Sequence, residues 1–237
     1  MVNAVVQLIL KEELTPEGRF IYGFADLREL LLPKFDGFSH GISILRRLDD
    51  RIVDQVTDGP TEEYLEHYLA VNLEMQAVCE RIARRLEAEG VRALAVKPTV
   101  SSSPAAFDKA LPDLRYEISH KLVATRAGLG WIGKTDLFVS KLFGARLRLA
   151  SILVDRELKP GHRPFNRSRC GMCRICVDKC PARAATGQLW DIHTDRDLFF
   201  DAFRCREQCS VFGRKLRLDR RICGICVAVC PIGDRPS

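Results

Sequence analysis

The stretch Cys170-Gly-Met-Cys173-Arg-Ile-Cys176-Val-Asp-Lys-Cys180-Pro181 determines how the last third of this chain folds. Its C-x2-C-x2-C-x3-C-P spacing is the one that holds [4Fe–4S] clusters in bacterial iron–sulfur proteins. Three thiolates spaced in this way can wrap one face of a cluster, and the cysteine before the proline ligates a second cluster. The stretch therefore predicts a compact fold built around two clusters.

A second group of cysteines follows the first and supplies the missing ligands. It consists of Cys205, Cys209 and a Cys223-x2-Cys226-x3-Cys230-Pro231 run, so nine of the ten cysteines lie after residue 169. The predicted ligands are Cys170, Cys173, Cys176 and Cys230 for one cluster, and Cys180, Cys223, Cys226 and one of Cys205 or Cys209 for the other. The spare cysteine of that last pair is expected to be a bystander near the cluster.

Disulfides and zinc account less well for the cysteine pattern. The C-x2-C spacing is too tight for a disulfide framework, and the N-terminus lacks the basic start and cleavage site of a secretory signal. Zinc is the stronger rival because C-x2-C pairs also form zinc ribbons. A zinc site, however, needs neither a third cysteine after two further residues nor a repeated C-x3-C-P ending.

The amino-acid composition excludes few classes of function. The formal net charge is +6 over 237 residues, and many arginines surround the cysteines. Four thiolates make a cluster net negative, so charge balance explains these arginines better than a nucleic-acid surface does. No apolar run approaches the roughly 20 residues of a membrane span. We therefore expect a cytoplasmic protein without a membrane partner, in a compartment where exposed clusters stay reduced.

The first 160 or so residues have the pattern of a mixed α/β region. Strands are predicted over Val2–Leu10, Gly41–Leu45, Val91–Val96 and Leu147–Val154, which are short runs rich in Val, Ile and Leu. Helical spacing of apolar residues predicts one long helix between Pro60 and Gly90, with Cys79 as an inert core thiol on its apolar side. The composition changes at Lys159–Pro164, which predicts an α+β protein with domains over 1–164 and 165–237.

The glycine-rich block Ala127-Gly-Leu-Gly-Trp-Ile-Gly-Lys134 is the most distinctive part of the first domain. Gly128, Gly130 and Gly133 are predicted to lie in a short loop, where backbone comes close to another group or adopts positive φ. The spacing is that of a dinucleotide-binding loop, but no strand leads into it. The residues 116–126 are typical of a helical or mixed segment, and this argues against nucleotide binding.

At this point the chain resembles the epoxyqueuosine reductase family. The resemblance is carried by the 127–134 block, Phe143-Gly144, the strand that ends at Asp155, and the double cysteine motif. The step Asp201-Ala-Phe-Arg-Cys205 is similar to the family's lone cysteine between the two motifs, which favours Cys205 over Cys209 as the eighth ligand. The similarity runs from about residue 115 to the end and is weaker before it.

The resemblance implies a fold and a set of cofactors. Members of the family, which are related to reductive dehalogenases, join a nitroreductase-like domain that holds cobalamin to a ferredoxin-like domain with two [4Fe–4S] clusters. Electrons pass through the clusters to cobalt, and the cofactor performs the difficult chemistry. The residues expected to contact the corrinoid are His120, Lys121, Gly128, Gly130, Trp131, Gly133 and Lys134, with structural roles as the alternative for several of them.

Two departures from the family pattern bear on the activity. Members that form queuosine carry an aspartate, thought to deliver a proton, where this chain has Val100-Ser-Ser-Ser-Pro104, and serine is a poor general acid. The sequence leaves the catalytic residue unknown, with Asp108, Asp113, Tyr116 and His120 as candidates. Full members also add a helical-repeat domain that grips tRNA, whereas this sequence stops at Ser237. Both departures argue against tRNA as the substrate.

These observations predict an iron–sulfur, cobalamin-dependent oxidoreductase that reduces a small substrate or the corrinoid itself. Its partners would be the corrinoid and a low-potential electron donor of the ferredoxin or flavodoxin type. The alternatives are a non-catalytic electron carrier that activates a corrinoid protein, and a truncated tRNA epoxyqueuosine reductase. The substrate, the proton donor and the oligomeric state stay open.

Overall fold

The structure is a computed structural model that describes residues 2–98, 103–217 and 220–233. Its longer elements are helices α1 (Val2–Glu13), α2 (Asp50–Asp54), α3 (Glu62–Ala88), α4 (Pro104–Ala110) and α5 (His120–Arg126), and strands β1 (Phe20–Asp26), β2 (His40–Arg47), β3 (Ala93–Val96), β4 (Gly130–Ile132), β5 (Phe138–Ser140) and β6 (Leu147–Val154). Helices α6 (Ile175–Asp178), α7 (Arg196–Phe199), α8 (Ala202–Lys215) and α9 (Ile225–Ala228) follow. The predicted α+β class is confirmed.

Two antiparallel sheets organise the first part of the chain. The larger has the strand order β1-β2-β6-β3, and the smaller pairs β4 with β5. Residues of β2 and β6 are in register from His40 opposite Val154 to Arg47 opposite Leu147. Both strands are almost wholly buried, because α3 covers one face of the sheet and α5 lies on the other. The predicted strands at 41–45, 91–96 and 147–154 are present, the second of them from Ala93 onward, and β1, β4 and β5 are additional strands.

The N-terminal prediction is wrong. The segment predicted as the strand Val2–Leu10 is the first part of the helix α1. Val6, Ile9 and Leu10 are buried while Leu8 is 57% exposed, and this is the 3.6-residue period of a helix. Val-rich composition suggested a strand, but burial against α3 outweighed the weak local propensity.

The long helix α3 forms where it was predicted. Thr61 caps its start by accepting a hydrogen bond from the Tyr64 N–H, and Gly90 follows its end with a φ of +74°. Its buried side includes Met75 and Cys79, so the cysteine outside the two motifs is a core residue as predicted.

The cysteine-rich part packs into the same core as the sheet. Phe212 of α8 and Ile222, Ile225 and Ala228 around α9 belong to the hydrophobic cluster that contains the buried residues of α1 and α3. The buried Arg146 also joins the two parts, because it donates to the Ala228 carbonyl at 2.9 Å. Across the described residues no helix is long and apolar enough to cross a membrane.

The packing of α3 gives a direct test of this core. Met75 has no exposed surface, whereas Leu73 on the same helix is 69% exposed. Met75→Ala should lower the free energy of unfolding by about 2–5 kcal/mol, because it leaves a cavity. Leu73→Ala should change it by no more than about 0.5 kcal/mol. Chemical denaturation of the two variants would measure the difference, and equal effects would contradict this arrangement of α3.

Candidate functional site

A narrow cavity holds one of the two predicted ligand sets. Its walls include Cys170, Cys173, Cys176 and Cys230, together with the neighbouring Cys226. The first three follow one another in the loop before α6 and at its start, and Cys230 follows α9. Sixty residues of sequence separate Cys170 from Cys230, so only the tertiary fold brings them to one cavity.

Hydrogen-bond donors converge on these thiols. The indole Nε1 of Trp131 donates to Cys170 Sγ at 3.4 Å, and backbone groups of Ala145 and Ile232 donate to Cys230. Burial raises the pKa of Cys230, and these donors oppose that shift. Such donors would stabilise thiolate sulfurs, which is the form that binds metal.

Thr135 links the two predicted ligand sets. It adjoins Cys176, assigned to one cluster, and Cys226, assigned to the other. Burial raises the pKa of both thiols, and the Thr135 hydroxyl acts in the opposite direction. The residue is 5% exposed and lines both cavities, so the two thiol sets are neighbours.

A buried lysine fixes the loop that carries the first cysteines. Lys134 is 4% exposed, and its Nζ donates to the carbonyls of Gly171 and Cys173, each at 2.9 Å. A buried ammonium needs such partners, because desolvating an unpaired charge is costly. Lys134 therefore holds the β4–β5 turn against the cysteine loop.

The second ligand set lies in a much larger cleft of about 470 Å³. The thiols on its wall are Cys180, Cys205, Cys209, Cys223 and Cys226. Gly224, between two of them, has a φ of +89°, and a Cβ there would come within 2.6 Å of the Tyr64 ring. Glycine at this position lets α3 pack directly against the second cysteine motif.

Cys205 and Cys209 both face this cleft from one side of α8. They are four residues apart on the helix and hydrogen-bond each other. The hydrogen bond from Cys209 lowers the pKa of Cys205, and the same bond raises the pKa of Cys209. Both stay candidates for the eighth ligand.

Polar and aromatic side chains of the first region form the opposite wall of the cleft. They are Tyr64 and Tyr68 from α3, Tyr116, His120 and Lys121 around α5, and Arg148 from β6. His120 Nδ1 lies 2.9 Å from Ser151 Oγ, and its Nε2 lies 3.1 Å from the Lys97 carbonyl. Burial lowers the pKa of His120 to about 4, so the ring is neutral at pH 7 and donates to that carbonyl.

The four residues considered as proton donors differ in their surroundings. Asp108 pairs with Arg206 and with Arg221, which lowers the pKa of its carboxyl group. Asp113 does not line the cleft, whereas Tyr116 and His120 do. Burial raises the pKa of Tyr116, which keeps its hydroxyl protonated. Of the segment Val100–Pro104, residues 100–102 lie outside the described residues, and Ser103 caps the start of α4.

Five of the seven residues expected to contact a corrinoid lie at one or the other of the two cavities, and Gly128 and Gly130 line neither. His120 and Lys121 line the large cleft, and the Lys121 Nζ lies 2.5 Å from Asp136 Oδ2. Gly133 and Lys134 line the narrow cavity instead, and Trp131 contacts Cys170 there. Gly128 packs on His162 and Arg163 of the segment that leads into the cysteine region.

The glycine block is also not the simple loop that was predicted. Gly130, Trp131 and Ile132 form β4. A Cβ at Gly130 would lie 2.1 Å from the Val139 carbonyl oxygen, so close pairing with β5 requires glycine. In the same way, a Cβ at Gly144 would lie 1.8 Å from the Ile232 carbonyl, just beyond Cys230. These glycines serve the packing of the thiol-lined cavity.

Three residues of the site had no signal of their own in the sequence. Thr135, Tyr64 and Arg148 lie outside recognisable motifs, and only tertiary packing brings them beside the cysteines or the cleft. Within the described ranges, no three His, Cys, Asp or Glu side chains converge closely enough for a single metal ion.

Comparisons with known proteins agree on one group of relatives. The epoxyqueuosine reductase of Lactococcus garvieae is 32% identical over 109 residues, which are 46% of this chain and 30% of that protein. The epoxyqueuosine reductase of a Synechocystis strain is 30% identical over 138 residues, 54% of this chain and 47% of that protein. The tetrachloroethene reductive dehalogenase of Dehalobacter restrictus is 32% identical over 121 residues, 46% of this chain and 21% of that protein. No protein-family model matches the chain.

Solved structures show the same fold. The epoxyqueuosine reductase of Streptococcus thermophilus superposes with a TM-score of 0.61 at 21% identity, over 98% of this chain and 67% of that one. A reductive dehalogenase whose structure suggests a mechanism for B12-dependent dehalogenation superposes with a TM-score of 0.63 at 16% identity, over 89% of this chain and 29% of that one.

The relatives place the chain among homologues of reductases. More specifically, it is a homologue of epoxyqueuosine reductases and reductive dehalogenases, and the resemblance predicted from its motifs is confirmed. The chain spans between 21% and 47% of the length of these curated relatives.

The buried Lys134 supplies a test of the narrow cavity. Lys134→Met should lower the free energy of unfolding by about 1–3 kcal/mol, because the carbonyls of Gly171 and Cys173 lose a buried donor. Lys141→Met, at an exposed lysine, is the matched control and should have little effect. Anaerobic urea denaturation of both variants would measure this. Equal stability of the two variants would mean that Lys134 does not hold the cysteine loop.

His120 predicts a particular dependence of stability on pH. Its pKa is about 4 in the folded protein, below the ordinary value of 6.5, so the unfolded chain takes up the proton first as the pH falls. The stability that neutral His120 contributes is complete above pH 6.5 and is lost towards pH 4.

The difference in unfolding free energy between the wild type and His120→Gln should therefore be constant above pH 7. Below pH 6.5 it should fall by about 1.4 kcal/mol per pH unit. His193→Gln, at an exposed histidine, is the control and should follow the wild-type profile. A wild-type to His120→Gln difference that stays constant down to pH 5 would contradict burial of a neutral ring.

Proposed function

We propose that this chain is an iron–sulfur oxidoreductase that uses two [4Fe–4S] clusters and a corrinoid to reduce a small substrate or the corrinoid itself. One observation carries the proposal. The two predicted sets of thiols line two neighbouring cavities, and the second of these is the large cleft, which also has a polar and aromatic wall. A volume of about 470 Å³ lies within the range of about 300–1,000 Å³ that is typical of cofactor pockets.

The donor set of the narrow cavity fits a [4Fe–4S] cluster. Cys170, Cys173, Cys176 and Cys230 would hold it, and the walls offer donors to the sulfurs of Cys170 and Cys230. Four thiols spread around a cavity suit a multi-iron cluster better than one zinc ion, whose ligands must lie about 2.3 Å from the metal. The buried charge of Lys134 beside the loop would offset part of the negative charge of the cluster.

The cleft supplies the second set. Cys180, Cys223, Cys226 and Cys205 would hold the other cluster, with Cys209 as the alternative to Cys205. When bound, the clusters supply one-electron transfer, and a corrinoid supplies a reducing cobalt centre. Because the second set lines the cleft and the first does not, the second cluster would be the one next to the cofactor.

The wall of the cleft opposite the cysteines would bind the corrinoid and the substrate. Tyr116 is the proton donor that we favour, since it lines the cleft and keeps its proton at neutral pH. Neutral His120 would hold the wall in place through Ser151 and the Lys97 carbonyl. The other corrinoid contacts predicted from the glycine block would act indirectly, by shaping the narrow cavity.

Electrons would enter on the outer side of the first thiol set. Met172, between two of its cysteines, is 94% exposed, and Ile175 is 44% exposed. Exposed basic residues precede and follow these two in the sequence; they are Arg163, Arg167, Arg169, Arg174 and Lys179. Such a surface suits an acidic low-potential donor of the ferredoxin or flavodoxin type, because complementary charges speed association.

Metal and cofactor analysis of anaerobically purified protein tests the proposal. About eight irons and eight sulfides per chain are expected from two four-iron clusters. Titration with cob(II)alamin, followed by EPR, should show a cobalt signal that changes only when the protein is present. Zinc in place of iron would contradict the cluster assignment. Iron without corrinoid binding would leave the electron-carrier function and contradict the catalytic one.

A pair of cysteine variants makes this test specific. Cys170→Ser should lower the iron content by about half, since it removes a ligand of one cluster of the pair. Cys79→Ala is the matched control, because Cys79 is a buried core residue far along the chain from both motifs, and its iron content should equal that of the wild type. Full iron content in Cys170→Ser would overturn the assigned ligand set.

A further inference from the structure

We propose that Arg148 binds an anionic group of the substrate in the large cleft, so that the substrate is a carboxylate or phosphate compound. This inference rests on the proposed function in so far as that function places substrate reduction in the same cleft. Arg148 lies near the start of β6, where residues 147–149 form part of the cleft wall.

The side chain is held in place by two neighbours on α3. Arg148 Nε donates to Asn72 Oδ1 at 2.8 Å, and its guanidinium carbon lies 4.2 Å from the centroid of the Tyr68 ring. Tyr68 and Asn72 are four residues apart and so lie on the same face of the helix. Because these contacts use Nε and one face of the guanidinium, the two terminal nitrogens are left for a planar oxyanion.

The other cations of the cleft already have acidic partners. Lys121 pairs with Asp136 at 2.5 Å, and Arg221 pairs with Asp108 at 2.6 Å. In the part of the chain that the structure describes, no Asp or Glu lies within ion-pair distance of Arg148. Its charge instead acts on neutral groups of the wall, where it lowers the pKa of Tyr116 and opposes the effect of burial.

The pairing of β6 with β2 gives a further reason to expect an anionic ligand at Arg148. Arg148 lies directly opposite Arg46 on β2, and like charges in such a pair destabilise a sheet. Arg46 is compensated by Glu74, whose Oε2 accepts from its Nε at 3.1 Å. Arg146, two residues before Arg148, pairs with Asp50 and Asp54. Of these three arginines, Arg148 is the one that has no acidic partner among the described residues. Its charge is therefore available to a bound anion.

The chemistry of the surrounding wall narrows the ligand class. Tyr64 and Tyr116 line the cleft near the guanidinium, as their electrostatic coupling to Arg148 indicates. Aromatic rings favour flat, partly apolar ligands, whereas the guanidinium favours a carboxylate or phosphate group. We therefore expect an aromatic or heterocyclic acid, with its acidic group on Arg148.

Small probes of matched shape test this inference on the iron-loaded protein. Benzoate and phenyl phosphate carry the anionic group, and benzyl alcohol is the neutral counterpart. By ligand-observed NMR titration, the wild type should bind benzoate at least about tenfold more tightly than benzyl alcohol. Arg148→Gln should remove at least about tenfold of the benzoate affinity and leave that for benzyl alcohol unchanged. Arg148→Lys, which keeps the charge but not the planar fork, should lose less.

The control variant is Arg51→Gln, because Arg51 is an exposed arginine that does not line the cleft. It should bind benzoate as the wild type does. Benzoate affinity that stays within twofold in Arg148→Gln, or equal wild-type affinity for benzoate and benzyl alcohol, would overturn the inference. The wild-type comparison is informative even where Arg148→Gln does not fold.

Cob(II)alamin titration of the same variants separates the two sources of the anion, since the corrinoid itself carries a phosphate. Unchanged corrinoid affinity in Arg148→Gln, with weaker benzoate binding, supports a substrate anchor. Weaker corrinoid binding with unchanged benzoate binding would overturn it. If no variant binds corrinoid but benzoate binding still depends on Arg148, the anion site stands and the proposed function fails.

Discussion

The buried charge of Lys134 is the constraint on which the site depends. It is enclosed between the two-stranded sheet and the first cysteine loop, and its hydrogen bonds reach the carbonyls of Gly171 and Cys173. An ammonium group without water must keep such partners, so the loop cannot move away from the sheet without a large loss of stability. Arg146 does the same for the second motif through the Ala228 carbonyl. Two buried cations thus fix both cysteine segments on one scaffold.

This constraint explains why local sequence predicted some features and not others. The strands at 41–45 and 147–154 and the helix between Pro60 and Gly90 follow from the periodicity of apolar residues over short distances. The sequence predicts a strand in place of the first helix because its valines favour a strand locally. The segment is helical because its apolar side packs on α3. The division of the cysteines into two ligand sets stays a prediction from their spacing. The first set lines the narrow cavity and the second lines the cleft, while Cys226 lines both.

The positions of the remaining site residues depend on contacts between distant parts of the chain. The glycine block was expected to contact a corrinoid, but Trp131 and Lys134 point to the first thiol set, and Gly130 serves strand pairing. The order of residues in the sequence does not show which of them contact the thiols and which serve strand pairing. Arg148 gave no signal because an arginine in a strand is ordinary until its neighbours in three dimensions are known, and among the described residues these include no acidic partner.

The central claim is that the two thiol sets hold neighbouring [4Fe–4S] clusters, with Thr135 on the wall of both cavities. EPR spectroscopy of the fully reduced protein tests it most directly. Adjacent paramagnetic clusters should give a broad spectrum split by magnetic coupling, and Cys170→Ser should reduce it to the signal of a single isolated cluster. A fully reduced wild type that shows only the sum of two uncoupled signals, or no iron–sulfur signal, would contradict the account.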